Sequence, residues 1–403
     1  MTTTASLKRS LSLPVITFYG IGAILGAGIY VLIGKVAGVA GYYSPYAFVL
    51  AAFIAIFSAF SYAELSARFP QSAGEAVYVS QAFARKWLTV GVGLLVVFTG
   101  VVSSATMATG VVGYVQLFVG LPAPVIIAMF VVLIGAIALW GIKESAMVVV
   151  VITLIEIFGL LYVCFVSSDQ WQNFPTWEVL SFQHPKYDGT SVMSGLLLGA
   201  FLAFYAYIGF EDMVNVAEEV VRPAYTLPRA IGLALVVSTT MYMLVSFSAL
   251  SVLSPEQLSA SSAPLASVVE AQGKSTAWIG LISLIAVVNG AIVQLIMASR
   301  VLYGLSKVNL LPPFLAVIHP RTATPVNATV LCVAVVMLLS LFLSLEFLAQ
   351  LTSFIVLSIF SVVNVALIKI RSSGEIVDTV QYPLWVPVIG LLMCLFALGI
   401  KLI

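Results

Sequence analysis

Of 403 residues, 62% are hydrophobic and 8% are charged, with a net charge of +1. A soluble domain carries about 25% charged residues, so water is excluded as the main solvent, and so small a net charge gives no reason to expect nucleic acid or an acidic partner. Cys164, Cys332 and Cys394 all fall inside apolar stretches without ligand-like spacing, and read as small buried residues rather than disulfides or a metal site. No metal or cofactor is expected.

A bilayer core takes about 20 apolar helical residues per crossing. Eleven runs meet that description, at roughly 14–34, 44–66, 87–118, 124–142, 146–166, 191–212, 229–252, 277–304, 325–343, 346–369 and 384–403. Nothing alternates as the strands of a barrel would. The expected fold is all-α and polytopic. Lys8 and Arg9 precede a run that continues into a full span without a cleavage motif, so no signal peptide is expected. With the N-terminus inside, thirteen Lys and Arg residues fall on the cytoplasmic side against four outside. That bias predicts a multi-pass protein of the cell (plasma or inner) membrane, N-terminus cytoplasmic and C-terminus extracytoplasmic.

The first run is dense in glycine, GIGAILGAGIYVLIG, with Gly20, Gly22, Gly26, Gly28 and Gly34. Two readings stand. Small residues let a neighbouring helix approach, which fits the Gly22/Gly26 offset; or the helix unwinds and offers bare peptide groups to a solute. The fifth run holds Glu156, about ten residues in, between apolar neighbours. A carboxylate near the midplane is costly, and such residues mark ion or proton paths. Glu156 fits three roles: proton carrier, ligand for a cation or a substrate amine, or a neutral carboxyl holding helices together. Asn289 in the eighth run is a candidate neighbour under each.

The sixth run, GLLLGAFLAFYAYIGFEDMVNVAEEV, has Gly209 beside an aromatic stretch and then Glu211 and Asp212. If runs 1–5 and 6–10 are two repeats, runs 1 and 6 correspond, and paired glycine-interrupted spans are a pointer to a carrier's binding site. Five crossings per repeat would give opposite orientations. The expected layout is a cytoplasmic N-terminus (1–13), a first repeat (14–166), an extracellular loop (167–190), a second repeat (191–370), and a cytoplasmic loop with an eleventh helix (371–403). Glu64 and Arg68 stand one helical turn apart, as a simple i,i+4 pair does. Glu218, Glu219 and Arg222 form a cytoplasmic amphipathic stretch, with Arg85, Arg300 and Arg321 as candidate partners in an inner gate. His184 and His319 fall in loops and read as solvated.

Five stretches together resemble the amino acid–polyamine–organocation superfamily, nearest its cationic amino acid transporter branch: GAILGAGIY (22–30), SYAELSARFPQSAGEAVYV (61–79), GIKESA (141–146), FYAYIGFEDMVNVAEEVVRPAYTLPRAI (204–231) and ASRVLYGLSKVNLLPPFLAVIHPRTATPVNA (298–328). The resemblance covers runs 1 to 10 in order. It implies a five-plus-five inverted repeat of the leucine-transporter kind, with helices 1 and 6 discontinuous, alternating access, and amino acids or organic amines as cargo. Many members have twelve spans where this chain has eleven.

A zwitterion entering the membrane needs replacements for the water it loses. Amides at the start of a half-helix suit a carboxylate; here these are Gly26, Ala27 and Gly28. By resemblance, the ammonium falls to the carbonyls of Ile24, Tyr205 and Ile208, with Ala206 a further candidate. The family often has Ser or Thr where Ala27 stands. Gln294 aligns with a position that faces the substrate side chain, or serves as an interhelical bond. Met107 either lines the pocket or fills a gap. Tyr205 and Tyr207 are gating candidates, Tyr207 alternatively plain packing. Glu211 aligns with an acidic position linked to inner gating, with a solvated helix end as the other reading. The branch commonly carries a lysine where Glu156 stands, so the sign of the charge is reversed here.

These features favour a transporter over an enzyme or a channel: no catalytic cluster exists, and no polar stripe follows one helix face. Proton-coupled amino acid uptake is the leading expectation, with Glu156 the candidate coupling residue. Amino acid exchange and the movement of a polyamine or other organic amine are the alternatives.

Overall fold

The computed structural model describes residues 11–70, 74–140, 146–175, 191–320, 322, 324–373 and 379–400. Among them the regular structure is helical: α1 (Leu13–Ala40), α2 (Ser44–Arg68), α3 (Gly74–Phe83), α4 (Lys86–Gln116), α5 (Ala123–Trp140), α6 (Ala146–Ser167), α7 (Ser191–Ala203), α8 (Asp212–Asn215), α9 (Pro223–Val252), α10 (Pro255–Ala260), α11 (Pro264–Ala271), α12 (Ala277–Lys307), α13 (Val326–Phe342), α14 (Leu345–Ser372) and α15 (Trp385–Ile400). Among the described residues eight segments are long and apolar enough to cross a membrane, and three shorter apolar ones accompany them. Large apolar side chains such as Trp140, Phe165 and Phe342 stay more than three-quarters exposed. Water would oppose that surface, whereas lipid accepts it.

Proline at the first turns starts α1, α2, α9, α10 and α11, where its missing N–H costs nothing. A Ser254–Gln257 capping box opens α10. Short helices α3, α10 and α11 lie in stretches between the apolar runs, where no span was expected. Early and late helices are interleaved. α4 runs along α12, α2 along α9, α5 against α13, and α1 against α7 and the 3₁₀ turn that follows it. The core is therefore a seam between the two halves of the chain.

Two helices are interrupted on that seam. α1 has non-helical torsions at Gly26 (φ −24°, ψ −133°). After α7 the chain passes through a 3₁₀ turn at Phe204–Tyr207, an extended Ile208, and Gly209 at φ +132° before α8 begins. The glycines of the two breaks differ in their surroundings. A Cβ on Gly26 would meet nothing within 4 Å, so this glycine borders open space. A Cβ on Gly28 would lie 2.6 Å from the Ala206 Cα, and one on Gly209 2.4 Å from the Ala23 carbonyl oxygen. The broken segments thus touch backbone to backbone, which only glycine permits.

A buried knot supports α2 from behind. Arg68 Nη2 lies 2.7 Å from Glu64 Oε1 and Arg371 Nε 3.5 Å from it, with Glu64 fully buried. The Tyr382 amide donates to Glu64 Oε2 (3.0 Å), and Arg371 bonds the Tyr382 carbonyl. The expected Glu64–Arg68 pair is present, then, but as part of a tertiary junction that fastens the strap leading to α15. Beside it Asn364 bridges Ser61 (2.6 Å) and Ser58 (2.9 Å).

Candidate functional site

Between the two breaks lies a chamber, a cavity of about 30 Å³. A buried water needs roughly 10–15 Å³, so the chamber is narrow. From α1 it is lined by Tyr19, Gly22, Ile24, Gly26 and Gly28; from the second break by Tyr205, Ile208 and Asp212. α4 contributes Ser103 and Met107, and α12 contributes Asn289 and Gln294. The sequence-predicted residues Ile24, Gly26, Gly28, Tyr205, Ile208, Gln294, Asn289 and Met107 are thus brought to one wall. The side chain of Ala27 lies outside the described residues.

Peptide groups at the breaks have specific partners. The Tyr242 hydroxyl, from the middle of α9, reaches the carbonyls of Ile24 (2.5 Å) and Ala206 (2.6 Å). The Tyr205 carbonyl accepts from the Ile208 amide (3.2 Å). Tyr205 is itself tied to α4, its hydroxyl 3.1 Å from Ser103 Oγ. Two carbonyls expected to face a substrate ammonium, Ile24 and Ala206, are therefore already bonded to a phenol, and Ala206 packs on Gly28 rather than lining the chamber.

The gating candidates stand apart from each other. Tyr207 is fully buried, donates to the Phe48 carbonyl (2.9 Å) and stacks edge-on against Tyr242. It is absent from the described chamber lining, which fits the packing reading. Glu211 is not a solvated helix end. It is 8% exposed, and its Oε2 accepts from the Gly209 amide (2.9 Å), so its carboxylate folds back onto the second break. Asp212, 5% exposed, accepts from Gln294 Nε2 (3.0 Å), while Gln294 Oε1 has no partner. Gln294 thus both lines the chamber and makes an interhelical bond.

Glu156 is fully buried in α6, and neither carboxylate oxygen has a hydrogen-bond partner. It does not join Asn289 on the chamber wall. Its neighbours are phenols: Tyr30 donates to the Glu156 carbonyl (2.7 Å), and both Tyr30 and Tyr242 are near enough to interact with its charge. Tyr30 in turn accepts at its carbonyl from Tyr114 (2.6 Å). Among the described residues no ion pair joins Glu219, Arg222, Arg85 and Arg300. Arg321, His184 and the side chain of Glu218 lie outside the described residues.

Tyr242, Tyr30, Asp212 and Tyr19 are neighbours of the site that the sequence did not single out for it. Only Asp212 carried a signal, as a second acid beside Glu211 at the end of a span.

Apolar helices broken opposite one another around a small polar chamber define a membrane carrier, a class with no need of catalytic groups. A family model described as Amino acid permease matches residues 11–403, and the chain belongs to that family. It is 30% identical to the branched-chain amino acid permease BcaP of Bacillus subtilis, over 97% of this chain and 88% of that one. It is also 30% identical, with the same coverage, to the methylthioribose transporter of Bacillus subtilis. The mitochondrial cationic amino acid transporter 3 of Arabidopsis thaliana is 27% identical over 91% of this chain, which spans 63% of that longer protein. These relatives are permeases and transporters rather than enzymes.

Proposed function

We propose that this permease moves amino acids by alternating access between two five-helix inverted repeats, with Glu156 loading the coupling proton. The observation that carries the reading is the pair of breaks, at Gly26 and at Ile208–Gly209, bordering one chamber. The packing supports the repeat: α1, α2, α4 and α5 each lie against the element that the repeat makes its counterpart. In this scheme there are eleven spans, the N-terminus is cytoplasmic and the C-terminus extracytoplasmic, and the protein sits in the cell membrane.

The amides of Gly26, Ala27 and Gly28 receive the substrate carboxylate, helped by the half-helix dipole. The ammonium is received by the carbonyls of Tyr205 and Ile208, and by those of Ile24 and Ala206 when Tyr242 lets go. The Gln294 amide meets the substrate side chain. A chamber this narrow must widen to admit an amino acid, and Tyr242, clamped to both breaks, is placed to govern that widening. Glu156 acts on the clamp through the phenols beside it. Glu211 folds back onto the second break and so serves the gate, with Tyr207 packed behind it.

The relatives' names cover branched-chain amino acids, cationic amino acids and methylthioribose, so family alone does not choose the cargo. One observation favours a second reading: Asp212, a carboxylate on the chamber wall, suits an organic amine or polyamine as well as an amino acid. The test is uptake and counterflow by the purified protein in proteoliposomes, against a panel of amino acids and amines, with and without a pH gradient. Saturable, trans-stimulated uptake of an amino acid is expected, and the pH-gradient component should vanish in Glu156→Gln. Gradient-driven uptake unchanged in that variant removes Glu156 from the coupling.

A further inference from the structure

A second cavity adjoins the chamber where α3 packs against the bundle. Its walls include Tyr62, Glu75, Thr99, Glu211, Asp212 and Met297, and Asp212 walls the first chamber as well. Its volume is about 20 Å³, enough for one water. Three carboxyl groups meet there, and all are buried: Glu75 is 4% exposed, Glu211 8% and Asp212 5%.

Each carboxyl is held at one oxygen by a neutral donor. Tyr62 donates to Glu75 Oε1 (3.2 Å), the Gly209 amide to Glu211 Oε2 (2.9 Å), and Gln294 Nε2 to Asp212 Oδ2 (3.0 Å). No basic group answers them among the described residues. Arg68 and Arg371 are engaged by Glu64, Lys369 lies over the Phe83 ring, Lys307 over Tyr303, and Arg300 is exposed. Three ionised carboxylates side by side without a counter-charge are too costly to bury. Neighbouring carboxyls in that position hold protons between them.

Two further buried atoms point to a guest. The Tyr78 hydroxyl, fully buried one turn beyond Glu75 and close enough to interact with its charge, has no acceptor. Gln294 Oε1, on a residue 6% exposed, has no donor. Gln294 Oε1 faces the first chamber on the residue that holds Asp212, and Tyr78 packs against Tyr62 behind Glu75, so an acceptor lacking a donor and a donor lacking an acceptor flank the three carboxyls and suit a water that carries a proton. Glu75 belongs to α3, outside the spans, and burial pushes its carboxyl up from the usual range against the opposing pull of the Tyr62 bond.

We propose that Glu75, Glu211 and Asp212 form a proton-binding site at the α3 end of the chamber, separate from Glu156. Its place in a transport cycle rests on the function proposed above; its existence does not. Hydronium gives its proton to a carboxylate oxygen and leaves water, and the reverse step returns the proton to water. Occupancy reaches the gate through Glu211, because a charged carboxylate holds the Gly209 amide more strongly than a neutral carboxyl does. It reaches the substrate through Asp212, the wall shared by both cavities.

The test is an infrared titration of the full-length protein in lipid nanodiscs, from acid to alkaline pH, in the protonated-carboxyl region. Glu75→Gln and Asp212→Asn should each remove a titrating carboxyl signal that Glu156→Gln retains. A titration indifferent to Glu75 and Asp212, or a signal that answers to sodium at fixed pH instead, overturns the site. Thermal unfolding checks each variant; should Glu75→Gln not fold, Asp212→Asn decides. In proteoliposomes, Glu75→Gln should lose about tenfold more gradient-driven uptake than counterflow, a ratio within the usual range of coupling between two sites. Equal losses overturn the coupling role. A wild-type protein that moves none of the panel solutes defeats the transport reading, while the infrared titration still judges the site.

Discussion

The Tyr242 hydroxyl lies 2.5 Å from the carbonyl oxygen of Ile24, joining the middle of α9 to the last turn before the break in α1. The same hydroxyl is 2.6 Å from the Ala206 carbonyl at the other break. One phenol, with a single proton to donate, therefore lies within bonding distance of a carbonyl at each break. Its charge environment includes the buried carboxyl of Glu156. The two breaks meet at this side chain.

Tyr242→Phe keeps the ring packing against Phe48 and Tyr207 but removes the donor. A buried carbonyl left unsatisfied costs about 1–3 kcal/mol. We expect a lower unfolding temperature in detergent and a larger loss in proteoliposome counterflow, because the variant loosens both breaks together. Counterflow equal to wild type would show that the clamp is not part of the cycle.

The glycines of the breaks differ in what alanine would meet. At Gly28 and Gly209 the new Cβ collides with backbone, and at Gly209 it must also accept φ +132°. Overpacking costs about 1–3 kcal/mol, and the backbone strain at Gly209 adds to it. At Gly26 the Cβ enters open space. Expected, then, is that Gly26→Ala folds but narrows the chamber and weakens substrate binding, Gly28→Ala lowers thermal stability, and Gly209→Ala lowers it most. Fluorescence-detected size exclusion with a temperature series gives the order directly.

How much of this was legible depended on whether a residue's role was local. The first break could be read because glycine density is a local signal, and the second because its segment occupies the matching place in the chain. Which glycine unwinds and which packs was not legible, since that depends on Ala206 and Ala23, far away in sequence. Tyr242 gave no sign: a tyrosine in STTMYMLV reads as apolar filling, and its acceptors lie 218 and 36 residues away. Glu211 and Asp212 read equally well as a solvated helix end, because only the packing of α3 over them reveals their burial. Glu75 was missed for the same reason, its short helix falling between two apolar runs.

Glu64 offers a test of the frame rather than the site. Its carboxylate accepts from Arg68 and the Tyr382 amide and faces Arg371, with no exposed surface. Removing one partner of a buried charged set costs about 3–5 kcal/mol because the other charges stay buried. Glu64→Gln should therefore unfold at a markedly lower temperature and yield little protein. Any folded fraction should exchange substrate normally, since nothing in this knot borders the chamber. Counterflow per folded molecule, measured after size exclusion, checks that separation.

Gln294 sits where structure and recognition compete, because its Nε2 holds Asp212 while its Oε1 is unpartnered on the chamber wall. Gln294→Leu deletes both atoms. Asp212 then loses a hydrogen bond worth about 1.5–3 kcal/mol when the acceptor is charged, and the wall beside the carboxylate turns apolar. Gln294→Glu keeps the length and the oxygen but brings a second carboxyl against Asp212. If the amide reads the substrate side chain, Leu should shift the panel toward apolar side chains and Glu toward amines, with the two variants moving in opposite directions. If the amide merely ties α12 to Asp212, both variants should lose stability and keep the wild-type ranking of substrates. Competition of the panel against one labelled substrate distinguishes the outcomes, because a ranking is insensitive to how much folded protein each preparation contains.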